Sequence, residues 1–445
     1  MKCIQCNTDN NFKERIANQG RCKRCNHPFA FEPKTMGKFK VTDSFFNQVI
    51  KDISANNTLF FTYKQFLYFL EQRFKRKRFV NSNLFSSLAY LFLTILGLVW
   101  LHYSGLSIQS ESLPLILVLA VWNFIWIYVL FKISNSPQLS LQVRRKGATE
   151  LAIVGVFILM VGLFISFSSS SRLGYLVTAT VGLSALWLGL VQKSRIAKIS
   201  ETFLISATQM EEWLNLWRRA NGEVNLMLDA PTTGVQSYQS SSNQTPNLTA
   251  YSFDRLVVCD KDEIARMLIA NNVHFETNCA VLGISGYPQP IFNITMEMLR
   301  RNPDLQVFAL HNCSPEGIEI VHELRNNQGW FAGSNVVIVD VGLLPRQIMA
   351  SAKTIKTMFV QKSDSSAQTA KNLTPQIRQN LSRQELEWLD AGYFVELESF
   401  TPQKLIRILQ QSMAKSQAVA FGNEGADETS NSLSFEISFF VDSFG

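Results

Sequence analysis

The chain has 445 residues, room for two or three folding units, and its 47% hydrophobic content is ordinary in amount but uneven in distribution. From Glu201 onward 18 Lys/Arg face 27 Asp/Glu, so the overall +7 averages a C-terminal part of −9 and a first 200 residues of +16. Four of the seven cysteines form one N-terminal motif and three are scattered, which excludes a secreted disulfide framework and points to a reducing compartment. With no apolar run ahead of that motif, no signal peptide is expected.

Residues 1–33 hold Cys3-Ile4-Gln5-Cys6 and Cys22-Lys23-Arg24-Cys25, two CxxC turns separated by fifteen residues. Each turn aims two thiolates at one point, and two turns complete the four-sulfur shell that zinc prefers. The pattern predicts a zinc ribbon with metal ligands Cys3, Cys6, Cys22 and Cys25, covered by Phe12, Phe29 and Phe31. A redox dithiol pair is the competing reading, but no strand–helix context of thioredoxin type surrounds these cysteines. A closed four-thiolate site is structural rather than catalytic. Lys13, Arg15, Arg21, Lys23 and Arg24 make the ribbon basic and leave nucleic acid open as a partner, while His27 is expected on the surface. Residues 41–80 follow as a small helical unit, with helices over 43–55 and 63–73 capped by Thr42 or Asp43 and by Thr62.

Between Leu84 and Val191 charges nearly vanish. Four segments approach the roughly 20 apolar residues that a bilayer-spanning helix needs, at 84–103, 113–131, 151–167 and 173–191. Arg73-Phe74-Lys75-Arg76-Lys77-Arg78 precedes the first; Lys132, Arg144, Arg145 and Lys146 join the second to the third; Lys193, Arg195 and Lys198 follow the fourth. The positive-inside rule then predicts a multi-pass protein of the inner or plasma membrane with both termini cytoplasmic. His102 and Asn123 are the conspicuous polar residues of the spans, and without an internal charge the block is expected to anchor rather than transport. The basic run at 73–78 offers contacts to anionic lipid headgroups.

An amphipathic helical stretch is predicted at 199–229, a flexible Ser/Thr/Gln/Asn-rich linker at 230–250, an α/β domain at 253–415 and a tail at 416–445. Within 253–415, strands at 256–259, 280–284, 305–310 and 336–339 alternate with helices at 260–272, 291–301 and from 315 to Arg325. That rhythm predicts a mostly parallel sheet covered on both faces, with ligands at the carboxyl ends of the strands. Those ends carry Cys259 and Asp260, with Asp260 as a helix cap; then Gly286 and Tyr287; then His311, Asn312, Cys313, Ser314 and Gly317. Asp260, His311 and Cys313 are the catalytic candidates. Gly286, Tyr287, Asn312, Ser314 and Gly317 are the ligand-binding ones. Cys259, His311 and Cys313 form a Cys/His nucleophilic pair, a second metal site, or simply buried thiols, and residues 314–317 start a helix able to receive an anion.

Val257-Val258-Cys259-Asp260, Gly286-Tyr287-Pro288 and the run from Ala309 to Gly317 follow the order of a Toprim domain. This part of the chain resembles the A subunit of topoisomerase VI and its meiotic double-strand-break relatives. Asp340-Val341-Gly342 and Val395-Glu396-Leu397-Glu398 resemble late segments of that family, and Tyr63-Lys64-Gln65-Phe66-Leu67-Tyr68-Phe69 resembles the segment bearing its cleaving tyrosine. The resemblance implies a metal-dependent phosphodiester chemistry, with a glutamate after the first strand and an Asp-x-Asp after a later one. Here those positions read Asp260, Asn312 and Ser314, and the nucleophile position aligns with Phe69. Magnesium is therefore not expected. The expectation is a membrane-tethered binding or regulatory protein with a protein partner; the alternative is a membrane-associated metal-dependent enzyme acting on nucleic acid or a phosphorylated substrate.

Overall fold

Apolar sequence is used in two different ways along the chain. The computed structural model describes residues 1–37, 39–80, 90, 92–94, 96, 113–137, 139, 141–169, 172–195, 200–228, 253–302, 304–350 and 358–422. One unit combines Met1–Glu71, Leu204–Met358 and Lys362–Gly445; the other combines Gln72–Phe203 with Phe359–Gln361.

The first unit begins with the two cysteine turns, separated by a short helix α1 (Phe12–Ala17) that Asn11 and Glu14 close with reciprocal caps. Helix α2 (Asp43–Ile53) starts at Thr42, whose hydroxyl accepts from the Phe45 N–H. The predicted cap Asp43 is instead buried and accepts from the N–H groups of Ala30 and Phe31, tying the ribbon to α2. Strand β1 (Phe61–Thr62) runs straight into helix α3 (Tyr63–Val80), longer than the predicted 63–73. Thr62 and Gln65 bond each other's backbone N–H and fix its first turn.

In the second unit, helices α4 (Leu113–Ser134), α5 (Leu141–Ser169) and α6 (Arg172–Arg195) fall on the apolar block. Among the described residues two helices, Val143–Phe164 and Tyr175–Arg195, are long and apolar enough to cross a membrane. Most of the span predicted at 84–103 lies outside the described residues, as does His102. Asn123 is not a lone polar group, since its side-chain oxygen accepts from the Tyr90 hydroxyl. Leu130, Leu151, Val154 and Ala185 form a packed centre. At the edge of this unit three charges are buried together. Lys75 Nζ lies 2.8 Å from Glu201 and over the Phe359 ring, and Arg144 approaches the same carboxylate at 3.7 Å. Lys75 is thus turned inward rather than toward the lipid headgroups expected for the 73–78 run, because burial demands a counter-charge and Glu201 supplies it.

The first unit resumes with helix α7 (Ala207–Asn221), capped by Ser206; its Met210, Trp213, Leu214 and Trp217 are buried. Phe31, Phe46 and Trp217 pack ring against ring, joining ribbon, α2 and α7 into one core. Strand β2 (Met227–Leu228) pairs in parallel with β1. The predicted linker at 230–250 lies outside the described residues.

The α/β part then follows its predicted rhythm closely. Strands β3 (Arg255–Cys259), β4 (Cys279–Gly283), β5 (Gln306–Leu310) and β6 (Val337–Asp340) form one parallel sheet in the order β4-β3-β5-β6. Between them lie α8 (Asp262–Ala270), the short α9 (Val273–Glu276), α10 (Gln289–Arg300) and α11 (Pro315–Asn326). Leu256, Val258, Leu282, Val307 and Ala309 build the core on one face of the sheet with Leu299 and Leu324, while alternate residues Val257, Val281 and Phe308 are buried on the other. Burial on both faces is what all-parallel strands require. Beyond the sheet come α12 (Pro345–Ala350), β7 (Gln361–Lys362), α13 (Asp364–Asn372), α14 (Pro375–Gln379), α15 (Arg383–Asp390) and β8 (Tyr393–Phe394). A final helix, α16 (Pro402–Gly422), continues seven residues into the stretch predicted as a tail, whose remainder lies outside the described residues.

Replacing Glu201 by alanine removes the carboxylate that Lys75 and Arg144 share. Removing one partner of a buried pair costs about 3–5 kcal/mol, so the variant is expected to melt at a clearly lower temperature in detergent. An unchanged Tm would show that the burial of these charges does not depend on Glu201.

Candidate functional site

The two cysteine turns are copies of one local structure. In each, the first cysteine N–H donates to the carbonyl five residues on (Cys3 to Thr8, Cys22 to His27), and the asparagine after the second cysteine donates back. Asn7 and Asn26 take left-handed backbone angles, φ 60° and 61°, which asparagine tolerates better than most residues. Facing each other, the turns bring Cys3 Sγ to 3.6 Å from Cys25 Sγ and Cys6 Sγ to 3.5 Å from Cys22 Sγ. All four sulfurs lie within 4.8 Å of one another. Four metal–sulfur bonds of about 2.3 Å in a tetrahedron put the sulfurs about 3.8 Å apart, so the cluster has the size and donor set to bind a metal ion such as zinc. Burial pushes the Cys22 thiol up, but the N–H groups of Cys25 and Arg24 and the Asn10 amide outweigh it and bring the thiol down to about 6.

The surroundings of the turns differ from expectation in two respects. Phe31 is buried as foreseen, but part of the cover is polar: Arg15 bonds both oxygens of Glu32 and the Asn10 carbonyl. His27, expected on the surface, bonds the Asn221 side chain at the end of α7.

A second site forms at the carboxyl ends of β3 and β5. Asp260 does not cap α8, whose cap position is Lys261 instead. Its Oδ2 accepts from the Asn312 N–H at 2.8 Å, while Oδ1 is buried and has no hydrogen-bond partner. Burial pushes this carboxyl up to about 6 against the pull of that N–H. Glu398 is 1% exposed, neither of its carboxylate oxygens has a hydrogen-bond partner, and burial together with nearby Glu396 pushes it up to about 7. Glu396 accepts from the Tyr68 hydroxyl at 2.6 Å and from Lys64 Nζ at 3.2 Å, and Lys64 Nζ lies 4.0 Å from Glu398. Tyr68, buried in α3, is therefore the tyrosine that reaches the acidic site, not the aligned position Phe69. Lys64 and Tyr68 are four residues apart on one helix face, a spacing that does bring side chains together. The sequence contained that signal, but nothing in it joined this face to residues more than 320 positions away.

The other predicted residues have mainly structural work. The Asn312 side-chain oxygen accepts from the Leu397 N–H at 2.6 Å, and Ser314 caps α11 by accepting from the Gly317 N–H at 3.1 Å. A side chain at position 317 would come within 2.3 Å of the Asn312 carbonyl, so glycine is required there. Gly286, at φ 88°, and Tyr287 belong to a turn in which Gly286 N–H donates to the Gly283 carbonyl and Gly283 N–H to the Tyr287 carbonyl. Cys259 and Cys313 are completely buried, and burial holds both thiols well above the ordinary range. Such thiols are poor nucleophiles.

His311 is not poised beside either thiol. Its Nδ1 lies 2.8 Å from the Asn312 carbonyl oxygen and its Nε2 lies 2.9 Å from Asp340 Oδ1. Both neighbours are acceptors, so the doubly protonated, charged imidazole is the form that satisfies both contacts. Burial opposes that charge, but Asp340 and the Asn312 carbonyl raise His311 above its usual value; Asp340, which burial would raise, is held low by His311. Gly342 makes the approach possible, because a Cβ there would fall 2.1 Å from the ring.

No protein-family model and no curated protein matches this chain.

The His311–Asp340 pair has a defined pH window. The His311 contribution is complete below its unfolded value of about 6.5 and is lost as pH rises through the higher folded value; the Asp340 contribution is complete above about 3.9 and is lost as pH falls through the lower folded value. The stability difference between the wild type and Asp340→Asn should therefore peak between about pH 4 and 6.5 and shrink at alkaline pH. A difference that grows toward alkaline pH would contradict the ion pair.

Proposed function

We propose that this chain is a membrane-tethered cytoplasmic binding or regulatory protein. A structural zinc ribbon and a Toprim-like domain that performs no catalysis are joined in it to a four-helix anchor. The observation that carries the non-catalytic reading is the employment of Asn312 and Ser314. Where the resembled family has metal-binding carboxylates, these side chains hold the Leu397 N–H and the start of α11. Neither brings negative charge to a cation.

The anchor is read as spans at 84–103, 113–131, 151–167 and 173–191. Met160, Phe164, Leu176, Leu183, Trp187 and Leu190 support the last two of these, because each is more than half exposed on a largely apolar helix. Side chains of that kind are stable facing lipid and unfavourable facing water. The cytoplasmic assignment of both ends rests on the basic residues flanking the spans. Anionic headgroup contacts remain assigned to the 73–78 run apart from Lys75, which is committed to Glu201.

Zinc is assigned to the ribbon because four soft thiolates in a closed shell suit it. Two of the ribbon's cations are already engaged, Arg15 with Glu32 and Lys23 with Glu14. That favours a protein partner over nucleic acid, whose affinity depends on cations free to meet phosphates.

The enzyme reading draws on one observation, the Tyr68 hydroxyl 2.6 Å from Glu396 beside Asp260 and Glu398. The Glu396 carboxylate that holds that hydroxyl repels a phosphodiester, so it is the weaker reading. The test is turnover by the full chain in detergent with magnesium, on single-stranded DNA, duplex DNA and a phosphomonoester. No activity above that of Asp260→Ala is expected; magnesium-dependent turnover abolished by that substitution would overturn the proposal. Elemental analysis should find zinc at one ion per four cysteines of the ribbon, and Cys22→Ser should lose it.

A further inference from the structure

The acidic site has an unusual balance of charge. Asp260, Glu396 and Glu398 converge there, and hard oxygen donors of this kind suit magnesium or manganese. Among the described residues the four thiols are the one group of three or more His, Cys, Asp or Glu placed to hold a metal ion as they stand. Beside the two glutamates is an ammonium group: Lys64 Nζ is 3.2 Å from Glu396 and 4.0 Å from Glu398. Glu398 supplies an independent sign that the site is built for a positive charge. It is 1% exposed, both its oxygens lack a hydrogen-bond partner, and Lys64 is the cation beside it. A buried carboxylate without hydrogen bonds is costly unless a positive charge compensates it.

We propose that Lys64 is the resident counter-ion of this site, standing where a divalent cation would otherwise be held, and that withdrawing Lys64 converts the site into one for a divalent cation. The Thr62–Gln65 caps fix the helix turn that bears Lys64, so the ammonium is positioned by the backbone. Its side chain is nevertheless 47% exposed, so a change of rotamer can release it to water, and a cation or a partner's acidic group can then compete for it. This inference does not rest on the site being non-catalytic, since it concerns only which positive charge the carboxylates hold.

The test is manganese binding by the full chain in detergent, followed through loss of the free-ion paramagnetic resonance signal. Manganese is a poor competitor for the thiolate cluster, which keeps the two sites distinct. Wild type, Lys64→Ala, Lys64→Arg and the double variant Lys64→Ala/Glu398→Gln are compared. Lys64→Ala should bind one manganese ion at least about ten-fold more tightly than the wild type; Lys64→Arg should not, and the double variant should lose the gain. If Lys64→Ala is unfolded in the absence of metal, manganese should restore its folded circular dichroism. A wild type that binds as tightly as Lys64→Ala, a Lys64→Ala protein that neither binds nor is restored, or a gain that survives Glu398→Gln would each overturn the proposal.

Discussion

Asp260, Glu396 and Glu398 meet because of how the α/β sheet and its last loop are joined. The parallel register of β3 and β5 sets Cys259 beside Leu310, which lets the Asn312 N–H reach Asp260. The two-way backbone bridge between Cys313 and Val395 then brings in the segment that bears the two glutamates. Like charges gathered in a partly dry site must lose their charge or find an opposite one. Here both responses are visible: burial raises Asp260 and Glu398 toward neutrality, and Lys64 supplies a positive charge. The first helical turn of α3, and with it the attachment of the N-terminal half of this unit, is tied to that balance.

The same constraint recurs elsewhere. His311 is buried against Asp340, which favours its charged form, and Lys75 and Arg144 are buried against Glu201. In each case an acidic partner from another segment of the chain accounts for the burial of the basic group. The strand-end histidine and cysteine, which looked like a nucleophilic pair, are separated in purpose. His311 is an internal counter-charge, and Cys313 is a small buried residue whose backbone holds the Val395 bridge.

Much of the fold was legible because its determinants are local. The CxxC spacing gives the thiolate cluster, the alternation of apolar strands and amphipathic helices gives the sheet, and Thr42 and Ser314 mark helix starts that form as their residue types dictate. What escaped is what depends on long-range pairing. Lys64 meets Glu396 across 332 positions and Lys75 meets Glu201 across 126, and neither pair has a signature that composition or periodicity could reveal. The region from Pro345 to Phe394 was also opaque, because its helices and strands are too short to impose a period. Asp260 departs from the expected cap for a related reason: a carboxylate just before a helix usually caps it, but here the N–H of Asn312, just beyond β5, claims the oxygen instead.

The most direct test of this account is a double-mutant cycle between Lys64 and Glu398, read from denaturant unfolding of the full chain in detergent, using Lys64→Met and Glu398→Gln. If the ammonium compensates the buried carboxylate, the two substitutions are coupled by at least about 0.5 kcal/mol, and the double variant is more stable than the sum of the single losses predicts. Strict additivity, with no coupling between the two positions, would mean that Glu398 is held without help from Lys64 and would contradict the account.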